Sequence, residues 1–83
     1  MYKIVYSKNA LKDVKKLDSI IKKKIGKTIL RYSKNPLHYA TKLTSSEIGM
    51  YRWRAGNYRI IFDLKGKRID VLKIGHRRDI YKK

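Results

Sequence analysis

The chain contains no cysteine, one proline and six acidic residues among its 83 positions. Without cysteine, disulfide bonds and thiolate metal sites are excluded, so packing alone must hold the fold together. Long apolar runs are also lacking: the longest have three residues, whereas a membrane-spanning helix needs roughly 20. We therefore expect a single domain over residues 1–83, with no signal peptide or membrane span and with a cytoplasmic location.

The small number of acidic residues leaves a formal net charge of +17. A charge of this size attracts anions and speeds association with nucleic acid, anionic lipid or an acidic protein, although it can also serve solubility alone. The acidic residues are scattered, and the two histidines, His38 and His76, lie 38 positions apart. The sequence therefore offers no metal-ligand pattern, and we expect neither a metal nor a cofactor.

The positive charge is carried by two kinds of side chain in two parts of the chain. Residues 1–41 hold ten lysines and one arginine, whereas residues 42–83 hold six lysines and six arginines. Guanidinium groups are planar, permanently charged and able to bind phosphate through two hydrogen bonds at once. The arginine-rich half therefore predicts a phosphate-binding site, while the lysine-rich half is more typical of a solvated surface.

The first half of the chain predicts one strand and two helices. Alternating apolar residues indicate a strand over residues 1–7. Ser7 and Asp18 are suitable N-caps for two helices, the second of which we expect over residues 19–34. The single proline of the chain ends this helix, because the residue before a proline resists the helical conformation.

The second half predicts a loop followed by three strands. Residues 37–49 have no sustained period, so we expect a loop there. Alternation then indicates strands over about residues 50–55, 58–64 and 67–74, joined by turns short enough for antiparallel hairpins. We expect the tail, residues 78–83, to fold back over the sheet edge or to fray.

These elements predict an α+β fold, a small twisted antiparallel sheet packed on an N-terminal helical hairpin in the order β-α-α-β-β-β. Along the strand Tyr51-Arg52-Trp53-Arg54-Ala55, apolar and cationic side chains alternate. The apolar side chains should face the helices, and the two arginines should face the opposite, open side of the sheet.

Three segments of the chain carry a family resemblance. They are the pair Lys42-Leu43, the run YRWRAGNYRIIF from Tyr51 to Phe62, and the closing run IGHRRDIY, which ends at Tyr81. Together they resemble the RelE/ParE toxin superfamily, whose members show a KL pair, a YRxRxGxYRIIY-like strand pair and a closing IGHRxDxY. The resemblance covers nearly the whole chain. It implies an antiparallel sheet backed by two helices and the role of toxin in a type II toxin–antitoxin system.

The superfamily has two functional branches, and the resemblance allows both. RelE-like members cleave messenger RNA in the ribosomal A site and are silenced by a RelB-like antitoxin, so the implied partners are an antitoxin, mRNA and the ribosome. ParE-like members share the fold but poison DNA gyrase and lack the ribonuclease residues. A third alternative is a basic nucleic-acid-binding module, or a decayed toxin, without catalytic activity.

The RelE site, carried over to this sequence, falls on four arginines and a tyrosine. The two basic strand positions fall on Arg52 and Arg54, where RelE itself has lysines, and the strand arginine falls on Arg59. The arginine after the glycine falls on Arg77, and the C-terminal tyrosine falls on Tyr81, at a shorter spacing than in RelE. Retention of these residues favours the ribonuclease branch.

The resemblance also implies the reaction, which is attack of a ribose 2′-hydroxyl on the adjacent phosphate without a metal. Such chemistry depends on stabilising the charge that develops on phosphate oxygens. We expect Arg54, Arg59 and Arg77 to bind the scissile phosphate. Arg52 is expected to hold an adjacent phosphate or to acidify a neighbouring group.

Proton transfer needs a different group, because arginine stays protonated at any working pH. The candidates are His76, since imidazoles titrate near neutral pH, Tyr81, and the substrate itself. Plainer interpretations exist: His76 could only hydrogen-bond the tail, Tyr81 could be an edge-packing aromatic, and the strand arginines could be ordinary exposed residues. The candidate site residues are Arg52, Arg54, Arg59, His76, Arg77 and Tyr81 for catalysis, and Lys42 and Arg78 for RNA binding.

Overall fold

The computed structural model describes residues 1–44 and 48–81 of the chain. No helix in this part is long and apolar enough to cross a membrane. Ser45 and Ser46 of the predicted loop, and the last two residues of the predicted tail, lie outside the described residues. The elements in the described part are β1 (Lys3–Tyr6), α1 (Lys8–Lys15), α2 (Ser19–Tyr32), β2 (Thr41–Lys42), β3 (Tyr51–Ala55), β4 (Tyr58–Lys65) and β5 (Arg68–His76).

This order confirms the predicted β-α-α-β-β-β arrangement, with one addition. The two-residue strand β2 lies in the segment predicted to be a loop, where so short an element leaves no periodic signal. Both predicted helix caps are confirmed. The Ser7 hydroxyl accepts a hydrogen bond from the Ala10 N–H at 3.0 Å, and the Asp18 carboxylate accepts one from the Ile21 N–H at 2.9 Å.

The described strands form one sheet in the order β1-β5-β4-β3-β2. The three strands β3, β4 and β5 pair antiparallel, as predicted. The strand β1 runs parallel to β5, however, so the sheet is mixed rather than antiparallel throughout. Two helices and three strands separate β1 from β5 along the chain, which leaves enough chain for a crossover into a parallel neighbour.

The helices cover one face of the sheet, and the core lies between the two layers. Trp53, Phe62 and Ile29 are fully buried there. The Trp53 indole N–H donates to the Pro36 carbonyl oxygen at 2.9 Å, so its polar atom is satisfied within the core. The alternation predicted for β3 is confirmed, because Trp53 is 0% exposed whereas Arg54 is exposed.

The opposite face of the sheet is not open throughout, in contrast to the prediction. A bulge between β4 and β5 turns both Leu72 and Lys73 toward this face, where Ile61 is fully buried. The chain at Gly49 lies directly over them, since an added Cβ there would come within 2.5 Å of Ile61 and 3.1 Å of Leu72. Farther along, Ile80 folds back onto Gly75 and is 1% exposed.

The outer edge of β5 is completed by α1. The strand β1 pairs with β5 only from Arg68 to Val71 among the described residues. Beyond that point, the Ser7 hydroxyl donates to the Leu72 carbonyl oxygen at 2.9 Å, and the Asp13 carboxylate accepts from the Ile74 N–H at 2.8 Å. These side chains replace a missing strand and fix the half of β5 that leads to the arginine-bearing region.

Candidate active site

Sheet register brings the strand arginines side by side. Arg54 of β3 lies directly opposite Arg59 of β4, and Arg59 lies opposite Gly75 of β5. Directly opposed residues have Cβ atoms about 4.5–5.5 Å apart, and like charges in this position repel. Gly75, on the other side of Arg59, has no side chain of its own, and the Ile80 side chain packs over it instead.

Arg59 is buried in the middle of this positive region. It is 7% exposed, and its Nη1 donates to the carbonyl oxygens of Gly56 and Tyr58, both at 2.9 Å. Among the described residues, no carboxylate forms an ion pair with it. Burial lowers the pKa of Arg59 from its ordinary value, and the charges of Arg54, Arg52 and Arg77, in decreasing order, lower it further. We call Arg52, Arg54, Arg59 and Arg77 the arginine cluster.

Arg52 links the cluster to the C-terminal tyrosine. Its Nη1 donates to the Tyr81 phenol oxygen at 3.0 Å. Its Nε is buried and has no hydrogen-bond partner among the described residues. Because the phenol oxygen accepts this bond, its own O–H stays free to donate to a ligand. Tyr81 is 49% exposed, so the hydroxyl is within reach of a molecule bound on the arginine cluster.

A turn after β5 holds Arg77 and Tyr81 in place. The Arg77 N–H donates to the Asn57 carbonyl oxygen at 2.7 Å, which ties the turn to the β3–β4 hairpin. The Ile80 N–H donates to the His76 carbonyl oxygen at 3.0 Å, and the Ile80 side chain is buried against Gly75. The sequence reasoning missed Gly75 and Ile80 as positioning residues. A glycine inside a strand, which often marks a close approach of other chain, was the available signal.

His76 lies away from the arginine cluster. It is opposite Tyr58 in the register, and the two rings meet edge to face at 5.5 Å, with Tyr58 packed against the helix-side core. Its Nδ1 accepts a hydrogen bond from the Arg78 N–H at 3.2 Å. Because neighbouring strand residues point to opposite faces, the residues before and after His76 face the cluster while His76 does not. The structure thus brings Tyr81 to the cluster and leaves His76 hydrogen-bonded to the tail.

The two residues predicted to bind RNA are both exposed but lie outside the cluster. Lys42 is opposite Tyr51, whose ring stacks on Phe62, so Lys42 points to the helix side of the sheet. Its neighbour Thr41 is opposite Arg52, so Thr41 lies on the same face of the sheet as the arginine cluster. Arg78 lies in the C-terminal turn. Within residues 1–44 and 48–81, no group of three His, Asp or Glu side chains is placed to hold a metal ion.

Comparison with known proteins identifies the family to which the chain belongs. The model of the family described as the ParE toxin of the type II toxin–antitoxin system parDE matches residues 4–81. The chain belongs to the RelE/ParE toxin superfamily. Toxin RelE3 from Methanocaldococcus jannaschii is 33% identical over 83 residues, which cover 95% of this chain and 94% of the relative.

Solved structures of this superfamily have the same fold. The toxin–antitoxin complex RelBE2 from Mycobacterium tuberculosis contains a chain that matches with a TM-score of 0.83 at 23% identity, covering 92% of this chain and 98% of that one. A chain of the RelB–RelE antitoxin–toxin complex from Methanococcus jannaschii matches with a TM-score of 0.73 at 29% identity, covering 94% and 95%. The predicted superfamily and RelE-like fold are confirmed.

Proposed function

We propose that this RelE/ParE-superfamily toxin is a ribosome-dependent endoribonuclease that cleaves mRNA in the A site. The observation that carries the proposal is the Tyr81 phenol, held by Arg52 at 3.0 Å beside the buried Arg59. This arrangement combines a dense set of phosphate-binding cations with a group able to move a proton. A surface that served nucleic-acid binding alone would need the cations but not a positioned phenol.

The arginine cluster supplies the electrostatic part of the mechanism. Burial and mutual repulsion make the empty cluster unfavourable, so a bound phosphate relieves an existing cost at Arg59. Arg54 and Arg77 are exposed and can close on the two non-bridging oxygens of the scissile phosphate. Arg59 stays anchored to two carbonyl groups and serves as the fixed charge beneath them.

The same geometry supports the following proposal for bond making and breaking. The ribose 2′-oxygen forms a bond to the adjacent phosphorus and loses its proton to solvent, while the bond from phosphorus to the 5′-oxygen breaks. The Tyr81 O–H protonates the departing 5′-oxygen and then regains a proton from solvent. The products are a 2′,3′-cyclic phosphate and a free 5′-hydroxyl. The step requires no metal, and its charge is balanced by the guanidinium groups.

We propose that the ribosome orients the RNA on the toxin. The toxin has a cavity between the two helices and a second between α1 and β5, and the arginine-cluster residues line neither of them. A substrate on the cluster is therefore held by one surface of the toxin. We infer that the A site of the ribosome provides the opposing surface, and that cleavage takes place in the cytoplasm during translation.

A RelB-like antitoxin is the proposed protein partner. The similar archaeal toxin was solved as a RelB–RelE antitoxin–toxin complex. In this chain the groove between α1 and α2, about 260 Å³ in volume, is lined by apolar side chains including Leu11, Val14 and Ile25. An amphipathic helix with acidic residues on its outer face would complement both this groove and the net charge of +17.

Mapping of cleavage in a translated mRNA by primer extension tests the proposal. Wild-type toxin is compared with Arg77→Ala and with Arg68→Ala, which removes an exposed arginine paired with Asp70 outside the cluster. We expect cuts within the A-site codon for wild type and Arg68→Ala. Arg77→Ala should reduce them about 100- to 1000-fold, the usual cost of losing one strong electrostatic donor. Absence of cuts with wild-type toxin would overturn the proposal.

The alternative is gyrase inhibition, because the family model that matches this chain is described as the ParE toxin. A DNA supercoiling assay with purified gyrase separates the two functions. Inhibition of supercoiling by wild-type toxin, without ribosome-dependent cuts, would establish the ParE-like activity. If neither activity occurs and Arg→Lys changes in the cluster leave RNA affinity unchanged, the chain is a basic binding module, since a bidentate site would respond to that exchange.

A further inference from the structure

A second region able to attract phosphate adjoins the arginine cluster at the edge of β5. A cavity of about 590 Å³ lies between α1 and β5, and Lys12, Lys16 and Lys73 all line it. Concave, low-dielectric walls of one charge sign focus the potential more strongly than a convex surface does. Lys23 and Lys27 of α2 line neither this cavity nor the groove between α1 and α2.

In the described part of the chain, the carboxylates near this cavity already have hydrogen-bond or ion-pair partners. Asp13 lines the cavity, but its Oδ2 accepts the Ile74 N–H at 2.8 Å and so serves the edge of β5. On the same side of the sheet, Asp63 accepts the Met50 N–H at 2.8 Å, and Asp70 is paired with Arg68 at 2.9 Å. Among the described residues that line the cavity, three lysines therefore outnumber one carboxylate, which gives this part of the lining a net positive charge.

Sheet geometry connects the cavity to the cluster. Lys73 lies opposite Ile61, and the bulge at Leu72 turns it to the same face as Gly75, the neighbour of Arg59. At about 3.4 Å per residue, Lys73 is roughly 14 Å along the chain from Arg77. A single nucleic-acid strand with about 3.4 Å per stacked nucleotide covers this distance with about four nucleotides.

We propose that the cavity is an RNA subsite, in which Lys12, Lys16 and Lys73 bind backbone phosphates of the mRNA strand whose scissile phosphate lies on the arginine cluster. Lysine ammonium groups act as point charges without bidentate geometry, so this subsite holds the strand without reading its sequence. It lengthens the contact with RNA beyond the scissile position. The inference rests on the proposed function, since it assigns the substrate strand of that same site.

The test compares two triple variants that remove the same charge. Lys12→Gln/Lys16→Gln/Lys73→Gln alters the cavity, while Lys23→Gln/Lys27→Gln/Lys34→Gln alters exposed positions elsewhere. Binding is measured by fluorescence anisotropy with 2′-O-methyl RNA, which cannot be cleaved, in lengths of about three and about 12 nucleotides. The double variant Lys12→Gln/Lys16→Gln, which leaves the half-buried Lys73 intact, guards against misfolding, and a thermal melt checks each protein.

The cavity variants should weaken binding of the longer RNA about tenfold or more and leave the short RNA unchanged. Because each phosphate contact contributes about 0.7 to the salt slope for single strands, the triple variant should lose about 2 from it. An equal loss in the control triple, an equal loss with the short RNA, or no measurable binding by wild type would overturn the subsite. So would a defect confined to binding of vacant ribosomes, which would assign the lysines to ribosomal RNA.

Failure of the subsite and failure of the proposed function give different results. If the cavity variants bind the longer RNA normally while wild type still cuts mRNA in the A site, the subsite is wrong and the nuclease stands. If they lose binding of the longer RNA while wild type makes no cuts on translated mRNA, the subsite stands and the nuclease proposal is wrong.

Discussion

At the scale of single residues, the buried Arg59 determines what the cluster can do. Its side chain is 7% exposed and is surrounded by other guanidinium groups, so its charge is held in place at a cost to the empty protein. The lowered pKa of Arg59 means that the folded state binds its proton less tightly than the unfolded state. Stability is thus gained only as the pH rises through that pKa, far above working pH, and the cost is constant near neutrality. Anion binding therefore measures the cost of burying the Arg59 charge better than a pH titration does.

Inorganic phosphate should therefore stabilise the folded toxin through the cluster. A ligand at 100 times its Kd adds about 2.7 kcal/mol to the unfolding free energy. In a domain of this size, each kcal/mol raises Tm by about 4–8 °C. We expect phosphate, compared with chloride at equal ionic strength, to raise Tm in wild type and Arg68→Ala but much less in Arg54→Ala. Equal shifts in all three proteins, measured by scanning calorimetry, would place the anion elsewhere.

Tyr81 and His76 differ in their distance from the cluster, and this predicts different kinetics for their variants. Tyr81→Phe removes the hydroxyl that accepts from Arg52 and should slow single-turnover cleavage on programmed ribosomes about 100- to 10,000-fold. His76→Ala removes a side chain that meets Tyr58 and the tail, so we expect less than a tenfold change. The reverse ranking would make His76 the proton-transfer group.

At the scale of elements, the turn after β5 positions Tyr81. An added Cβ at Gly75 would lie 3.2 Å from Ile80 Cδ1. The absence of a side chain at this position of β5 therefore allows the turn to pack closely against the strand. Ile80 is buried as a result, and Tyr81 follows it directly along the chain. The contact between Ile80 and Gly75 brings Tyr81 over the sheet within a few residues of β5. This agrees with the short spacing between Arg77 and Tyr81.

Gly75→Val should displace the turn and uncouple folding from activity. We expect overpacking to cost about 1–3 kcal/mol of unfolding free energy in urea melts, while cleavage falls to the level of Tyr81→Phe. Ile80→Ala, which adds no atoms beside Arg59, should have the same kinetic effect. Gly26→Ala is the matched control, because a Cβ there meets no atom within 4 Å. Full activity in both turn variants would show that the turn does not position Tyr81.

The edge of β5 gives a second prediction at this scale. Asp13→Ala leaves the partly buried Ile74 N–H without its acceptor, so we expect a loss of about 1–3 kcal/mol of unfolding free energy. Arg68→Ala breaks a surface ion pair and should cost less than about 1 kcal/mol. Urea unfolding of both variants checks this. A cost for Asp13→Ala no larger than that for Arg68→Ala would mean that α1 does not secure this edge.

Local sequence signals predicted the helices and strands well, but they could not predict contacts between segments far apart in the sequence. Caps at Ser7 and Asp18 and the alternation through Trp53 depend on neighbours a few residues away, so the sequence contains them. The parallel pairing of β1 and the burial of Arg59 depend on segments far apart in sequence, which periodicity does not join. His76 and Arg77 are adjacent in the same motif. They lie on different faces of the sheet because successive residues of a strand point to opposite faces.

At the scale of the whole molecule, the net charge of +17 acts on stability and binding in opposite directions. Like charges repel in the compact state, and salt screens this repulsion. Attraction to RNA is weakened by the same salt, because bound cations compete with the protein for phosphates. Lysines on the helices and arginines on the sheet both contribute, so the effect belongs to the chain as a whole.

Raising sodium chloride from low to physiological concentration should therefore raise Tm of the free toxin while its affinity for RNA falls. Thermal melts and anisotropy titrations over one salt series measure both. We expect the rise in Tm to be smaller for Lys27→Glu, which lowers the net charge at an exposed site on α2. If Tm falls with salt, charge repulsion is not a significant cost in this fold.

The central claim is that the arginine cluster and Tyr81 promote attack by a ribose 2′-hydroxyl in the ribosomal A site. The most direct measurement uses ribosomes programmed with an mRNA that carries a single 2′-deoxy nucleotide 5′ to the mapped cut. The account predicts no cleavage at that position, and on all-ribose mRNA it predicts fragments with a 2′,3′-cyclic phosphate and a 5′-hydroxyl. Undiminished cleavage of the deoxy-substituted mRNA would contradict it.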